Sequence, residues 1–131
     1  MTQKDSDDGR FERGLETRKA VLGDDYVQRS LDAAGEFGFP LQKLTTEFCW
    51  NEIWNRPGLG HRERSILNLG MIAAMNRQHE FRVHVNGALN NGLTKEEIRE
   101  IILQIAFYCG GPAALDANRI ATEVFRERGL L

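Results

Sequence analysis

Residues 94–112 read Thr94-Lys95-Glu96-Glu97-Ile98-Arg99-Glu100-Ile101-Ile102-Leu103-Gln104-Ile105-Ala106-Phe107-Tyr108-Cys109-Gly110-Gly111-Pro112, and this stretch decides the fold class. Thr94 and Glu97 have capping-box spacing, in which each side chain satisfies a free amide of the other residue at a helix start. Ile98, Ile101, Ile102, Ile105, Ala106 and Cys109 then recur at i, i+3, i+4 and i+7, one apolar face of a helix. Gly110-Gly111 ends the run, and Pro112 suits the first turn of the helix that follows. That last helix carries Ala113, Ala114, Ala117, Ile120, Ala121, Val124 and Phe125.

The same reading extends upstream. His79–Asn90 places Phe81, Val85, Ala88 and Leu89 at helical spacing before Asn90-Asn91-Gly92 stops it. From Arg62 to about Arg77 the chain leaves almost no polar face after Arg64. A helix apolar all round is buried on all sides, and in so short a chain that implies burial against another subunit as well. Asn55–Gly60 is a turn, because Pro57 and Gly58 cannot both continue a helix. Leu41–Trp54 reads as a helix, Gly35–Pro40 as a break, Asp25–Ala34 as a short helix, and Arg10–Leu22 as a first helix stopped by Gly23. Residues 1–8 have nothing to bury and are expected to be disordered. No strand-type alternation occurs anywhere. The expectation is therefore all-α, one helical domain over residues 9–131 with six or seven helices.

The composition narrows the function classes. The 131 residues are 41% hydrophobic and 27% charged, with a formal net charge of −2. That balance supplies no basic field for nucleic acid. No run approaches the ~18 apolar residues of a membrane span, and the polar, acidic N-terminus does not read as a signal peptide, so the expected location is cytoplasmic. Cys49 and Cys109 stand apart with no C-x-x-C spacing and read as buried, inert thiols. His61, His79 and His84 do not form a metal set by spacing, and no nucleotide-binding glycine loop is present. Neither a metal nor a cofactor is expected.

Candidate chemistry concentrates between Trp54 and His84. Glu80 and His84 lie four apart and share one helix face. His84 also shares the stripe of Phe81, Val85 and Ala88. A partly buried imidazole beside a carboxylate can be held in one tautomer and tuned for proton transfer, although such a pair by itself is more often a satisfied core histidine. Arg62 and Arg64 sit in the first turn of an otherwise apolar helix, where the helix dipole disfavours cations. Two guanidiniums there could clamp carboxylates. Trp54 could wall a pocket. The glycines after Tyr108 let backbone amides approach a ligand.

Several linked segments also carry a resemblance. Trp54–Leu59 (WNRPGL), Arg62–Ile66 (RERSI), Glu80–Val85 (EFRVHV), Gly92–Ile98 (GLTKEEI) and Tyr108–Ala114 (YCGGPAA) resemble the gamma-carboxymuconolactone decarboxylase family. Arg18–Asp24 (RKAVLGD) and Thr46–Trp54 (TEFCWNEIW) match as well. The resemblance runs from about Phe11 to near the end of the chain. It implies the alkylhydroperoxidase-D-like (AhpD-like) fold and a homo-oligomer, commonly a hexamer built as a trimer of dimers. The peroxidatic branch of that fold carries C-x-x-C-x-x-x-H. Here the thiol positions are Arg77 and Glu80, so thiol peroxidase chemistry, which needs both thiols, is not implied.

What the resemblance implies is cofactor-free decarboxylation of 4-carboxymuconolactone, or a closely related lactone acid, to the enol-lactone of beta-ketoadipate and CO2 in aromatic degradation. His84 and Glu80 are the expected catalytic pair, with His84 supplying a proton. Arg62, Arg64, Trp54, Gly58 and Tyr108 are the expected substrate-binding residues. The chain departs from the family pattern at Asn51, Leu115 and Asp116. That leaves open another substrate on the same fold, or a member that binds without catalysing.

Overall fold

The computed structural model describes residues 8–131, and among these there are six α-helices, one π-helical segment and no strand. The expected disorder of residues 1–8 falls, Asp8 apart, outside the described residues. The chain forms two compact units that meet in sequence at Gly60 and His61.

In the first unit, α1 spans Arg10–Leu22 and stops at Gly23, whose φ of 93° suits glycine. Helix α2 spans Asp24–Leu44, where the sequence suggests two helices with a break over Gly35–Pro40. The interruption is confined to Gly35, at φ 60° and ψ −161°, and the helix resumes through Pro40. A single glycine able to take a positive φ kinks the helix, and no longer loop is needed. The chain then widens into a π-helix over Thr45–Ile53, closed by the Trp54 amide donating to the Cys49 carbonyl at 3.0 Å.

Helix α1 lies against this π-helix. The approach is close enough that a Cβ at residue 14 would stand 2.0 Å from the Thr46 carbonyl oxygen, so only glycine fits there. Val21, Trp50 and Trp54 form the core of the unit, with Leu22 against them.

The second unit is a four-helix arrangement. Helix α3 spans His61–Ala74, α4 Gln78–Asn90, α5 Lys95–Cys109 and α6 Gly111–Glu127. Helix α3 packs on α4 and α5, and α6 packs on α4 and α5. Leu69, Phe81, Val85, Ile98, Ile120 and Val124 are among the residues that fill the core. Both halves of the expected capping box are present at Thr94 and Glu97, and Pro112 stands in the first turn of α6. Asn76 takes φ 57° between α3 and α4, a conformation asparagine tolerates better than most residues.

Helix α3 leaves Ile66, Leu67 and Met71 exposed within the chain, and Met75 just beyond it, on the helix whose pattern implies cover by another subunit as well. One expectation needs correction: Cys49 and Cys109 are exposed, not buried, Cys49 beside the exposed Phe48 and Cys109 at the last residue of α5. Among the described residues, no helix is long and apolar enough to cross a membrane.

Candidate active site

His84 is the centre of the candidate site. It lies on α4, on the side of that helix leading into the apolar core, flanked by the buried Phe81, Val85 and Ala88. Burial lowers its pKa from 6.5 to about 4, and the charge of Glu80 one turn earlier opposes that shift. Desolvation wins because Glu80 is itself exposed, so its charge is screened by solvent. His84 is therefore neutral at neutral pH, able to donate one hydrogen bond and accept another. The expectation that it stores a proton for delivery to carbon does not suit this state, whereas a hydrogen-bond donor to a developing oxyanion does.

The two arginines separate. Arg62 is committed to structure: its guanidinium forks onto the Glu97 carboxylate, with Nη1 donating to Oε1 at 3.0 Å and Nη2 to Oε2, and Nη1 also reaches the Gly92 carbonyl at 3.3 Å. Glu97 is held at about 2, first by Arg62 and then by the Thr94 amide. One carboxylate thus caps α5 and ties it to the start of α3. Asn91 adds a second tie, donating from Nδ2 to Ser65 Oγ at 2.8 Å and to the His61 carbonyl at 3.3 Å. Arg64, two residues along α3, is half-buried and takes no part in the Glu97 pair.

Of the remaining expected residues, Trp54 and Gly58 belong to the first unit and Tyr108 to the second, as do Leu115 and Asp116. Trp54 is a core residue of the first unit, 3% exposed and stacked on Trp50 with ring centroids 4.7 Å apart. Gly58 is in the exposed turn, with nothing within 4 Å of where a Cβ would be. Tyr108 is exposed and, with Cys109, edges an open apolar groove of about 420 Å³ between α3 and α5. That groove is lined by Ile66, Leu67, Met71 and Ile105 among others and contains neither His84 nor either arginine. Leu115 is exposed, and Asp116 pairs with Arg119 and accepts from Gln78 Nε2 at 2.9 Å. Among the described residues there is no cluster of three or more His, Cys, Asp or Glu placed to hold a metal ion.

Sequence reasoning missed Arg18. It is 6% exposed, and its signal was available: residues 11, 15, 18 and 22 fall on one helical stripe, so a cation stands among Phe11, Leu15 and Leu22.

Comparison with known proteins adds the following. The family whose sequence model matches residues 40–123 is described as the carboxymuconolactone decarboxylase family. A 4-carboxymuconolactone decarboxylase of Acinetobacter baylyi is 39% identical over 125 residues, 95% of this chain and 93% of that protein. A nitrosuccinic acid decarboxylase of Metarhizium robertsii is 45% identical over 117 residues, 89% of this chain and 82% of that protein. An uncharacterized 15.0 kDa protein of Paracoccus denitrificans is 35% identical over 83 residues, 62% of each.

Proposed function

Because the chain belongs to the carboxymuconolactone decarboxylase family, we propose that it decarboxylates a small dicarboxylate without a cofactor, with His84 as the donor that meets the developing oxyanion. The observation that carries this is the neutral, mostly buried imidazole of His84 beside Glu80.

The two decarboxylase relatives act, by name, on 4-carboxymuconolactone and on nitrosuccinic acid. These molecules share one chemical device. The carbon that loses CO2 also bears a carboxymethyl arm and is conjugated to an electron acceptor, the lactone carbonyl in one and the nitro group in the other. When the carbon–carboxylate bond breaks, its electron pair moves onto that acceptor, giving a dienolate or a nitronate. The anion is then protonated from solvent, at the carbon next to the lactone carbonyl in the first case and at the carbon that lost CO2 in the second, and one proton is consumed for each CO2 released. Catalysis therefore requires a hydrogen-bond donor at the acceptor oxygen, a cation for the carboxymethyl carboxylate, and an apolar setting for the departing carboxylate.

His84 supplies the first as a neutral donor, a state that avoids a charged imidazolium being neutralised by substrate before reaction. Arg62 is held by Glu97; Arg64, the second guanidinium in the first turn of α3, is assigned to the substrate carboxylate. Glu80 orients the imidazole. Assembly belongs to the same reading: the exposed apolar residues Ile66, Leu67, Met71 and Met75 are assigned to subunit contact in a homo-oligomer.

The test is ultraviolet and CO2-release assay of the purified chain with 4-carboxymuconolactone generated in place, and separately with nitrosuccinate. Turnover of either, lost by about 10²-fold or more in His84→Ala, is the expected result. A well-folded chain that releases CO2 from neither molecule refutes the substrate class. Full activity in His84→Ala refutes the role of the histidine.

A further inference from the structure

We propose that Arg18, with Gln42 and Thr46, forms a binding site for a small carboxylate anion in the first unit. This goes beyond the decarboxylase reading in naming a second cation and does not need turnover to be tested.

Arg18 is nine-tenths buried, yet each hydrogen bond it makes among the described residues goes to a neutral group. Nη1 donates to Gln42 Oε1 at 2.7 Å and to Thr46 Oγ1 at 3.3 Å, and Thr46 Oγ1 in turn donates to the Gln42 carbonyl at 2.7 Å. Nε is buried without a hydrogen-bond partner. The ionisable groups whose charge it feels are a phenol, Tyr26, and a thiol, Cys49, neither of them a carboxylate. The buried carboxylate of Glu47, next to Thr46 in sequence, is bonded instead to Lys43 Nζ, 3.1 Å from each oxygen.

A desolvated guanidinium is normally retained with an anion on its fork. Here the neutral partners hold the fork by one nitrogen and leave Nε to donate. A carboxylate meets such a fork with two parallel hydrogen bonds, so it would satisfy the unused donor and the buried charge together. Cys49, exposed and within electrostatic reach of Arg18, marks where the site approaches the surface.

Cys49 supplies the readout. Maleimide alkylation of Cys49 in the full chain is followed by mass spectrometry of peptides, with Cys109 in the other unit as internal control. Burial pushes the Cys49 thiol up and the Arg18 charge partly offsets this, so succinate at millimolar concentration should slow Cys49 by about fivefold or more, both by covering it and by cancelling that offset, with Cys109 unchanged. Sodium chloride at matched ionic strength should not. In Arg18→Gln the protection should vanish. Arg18→Lys, which keeps the charge but loses the fork, should retain only part of it, and decides the matter if Arg18→Gln does not fold by circular dichroism. Absence of protection, equal protection by chloride, or full protection in Arg18→Gln overturns the proposal. So does protection that follows protein concentration and not succinate, since a second copy would then be filling the site. Loss of CO2 release with succinate protection intact would sink the decarboxylase reading alone.

Discussion

His84 ties acid sensitivity to one side chain. Its pKa falls from 6.5 to about 4 on folding, so the folded state gains from the neutral form. That gain is complete above pH 6.5 and is lost as the pH drops through about 4, with a ceiling of roughly 3 kcal/mol. Urea denaturation of the native chain and of His84→Gln at pH 7 and pH 4.5 should show the native chain losing the larger share on acidification. Equal losses would mean that another group carries the effect. The same pKa shapes the kinetics. A donor that must be neutral predicts kcat/KM that is flat through pH 6.5 and declines only toward pH 4. A decline on the alkaline side of pH 5 would instead restore His84 as the proton store. The arginines divide by a simple comparison: Arg64→Ala should raise KM by about tenfold, whereas Arg62→Ala should leave KM unchanged and lower stability. Here the sequence was partly legible. The spacing of Glu80 and His84 could be read, but not the degree of burial, since that depends on which neighbours close over the ring. Two arginines in one helical turn look alike until Glu97, 35 residues on, chooses Arg62.

At the scale of elements, most boundaries could be read because local chemistry dictates them. Gly23 ends α1, Thr94 and Glu97 start α5, and Gly110 with Pro112 separates α5 from α6. What was hidden depends on distant contacts or on backbone geometry without a residue signature. The run Gly35–Pro40 has the composition of a loop, yet helix resumes after Gly35. The π-helical geometry of Thr45–Ile53 leaves no mark in Thr-Thr-Glu-Phe-Cys-Trp-Asn-Glu-Ile. Two substitutions probe these elements. Thr94→Ala should cost about 1 kcal/mol in urea melts by removing the cap. Gly14→Ala must push α1 off the Thr46 carbonyl, and about 2 kcal/mol or more is expected, since backbone gives way less readily than a side chain. A neutral Gly14→Ala would show that the two helices can part without cost.

For the molecule as a whole, the apolar surface left on α3 and α5 is the feature in most need of a cover. Leu67, Met71 and Met75 on one side, and Leu103, Phe107 and Tyr108 on the other, are all exposed. Patches of this kind on small proteins mark association. Sedimentation should therefore find a multiple of the 14.9 kDa chain mass, and Met71→Glu should lower that multiple. A monomeric native chain would remove the assignment of this face to subunit contact. The all-round apolar pattern after Arg64 was legible as sequence, and so was its need for cover from outside the chain; which of its residues stay exposed was not, because periodicity does not say whose side chains will do the covering.

The wide helical turn at Thr45–Ile53 has an evolutionary consequence. A π-helix is an α-helix carrying surplus residue, each i→i+5 bond enclosing one amino acid more than α geometry requires. A lineage could drop a residue there and keep an unbroken helix. Each wide turn would close to an i→i+4 bond between the same two flanking residues, so the flanks would keep their facing while the helix narrowed. Length differences between homologues should thus gather in this segment as well as in loops, each of them absorbed in the width of the helix and not in its direction.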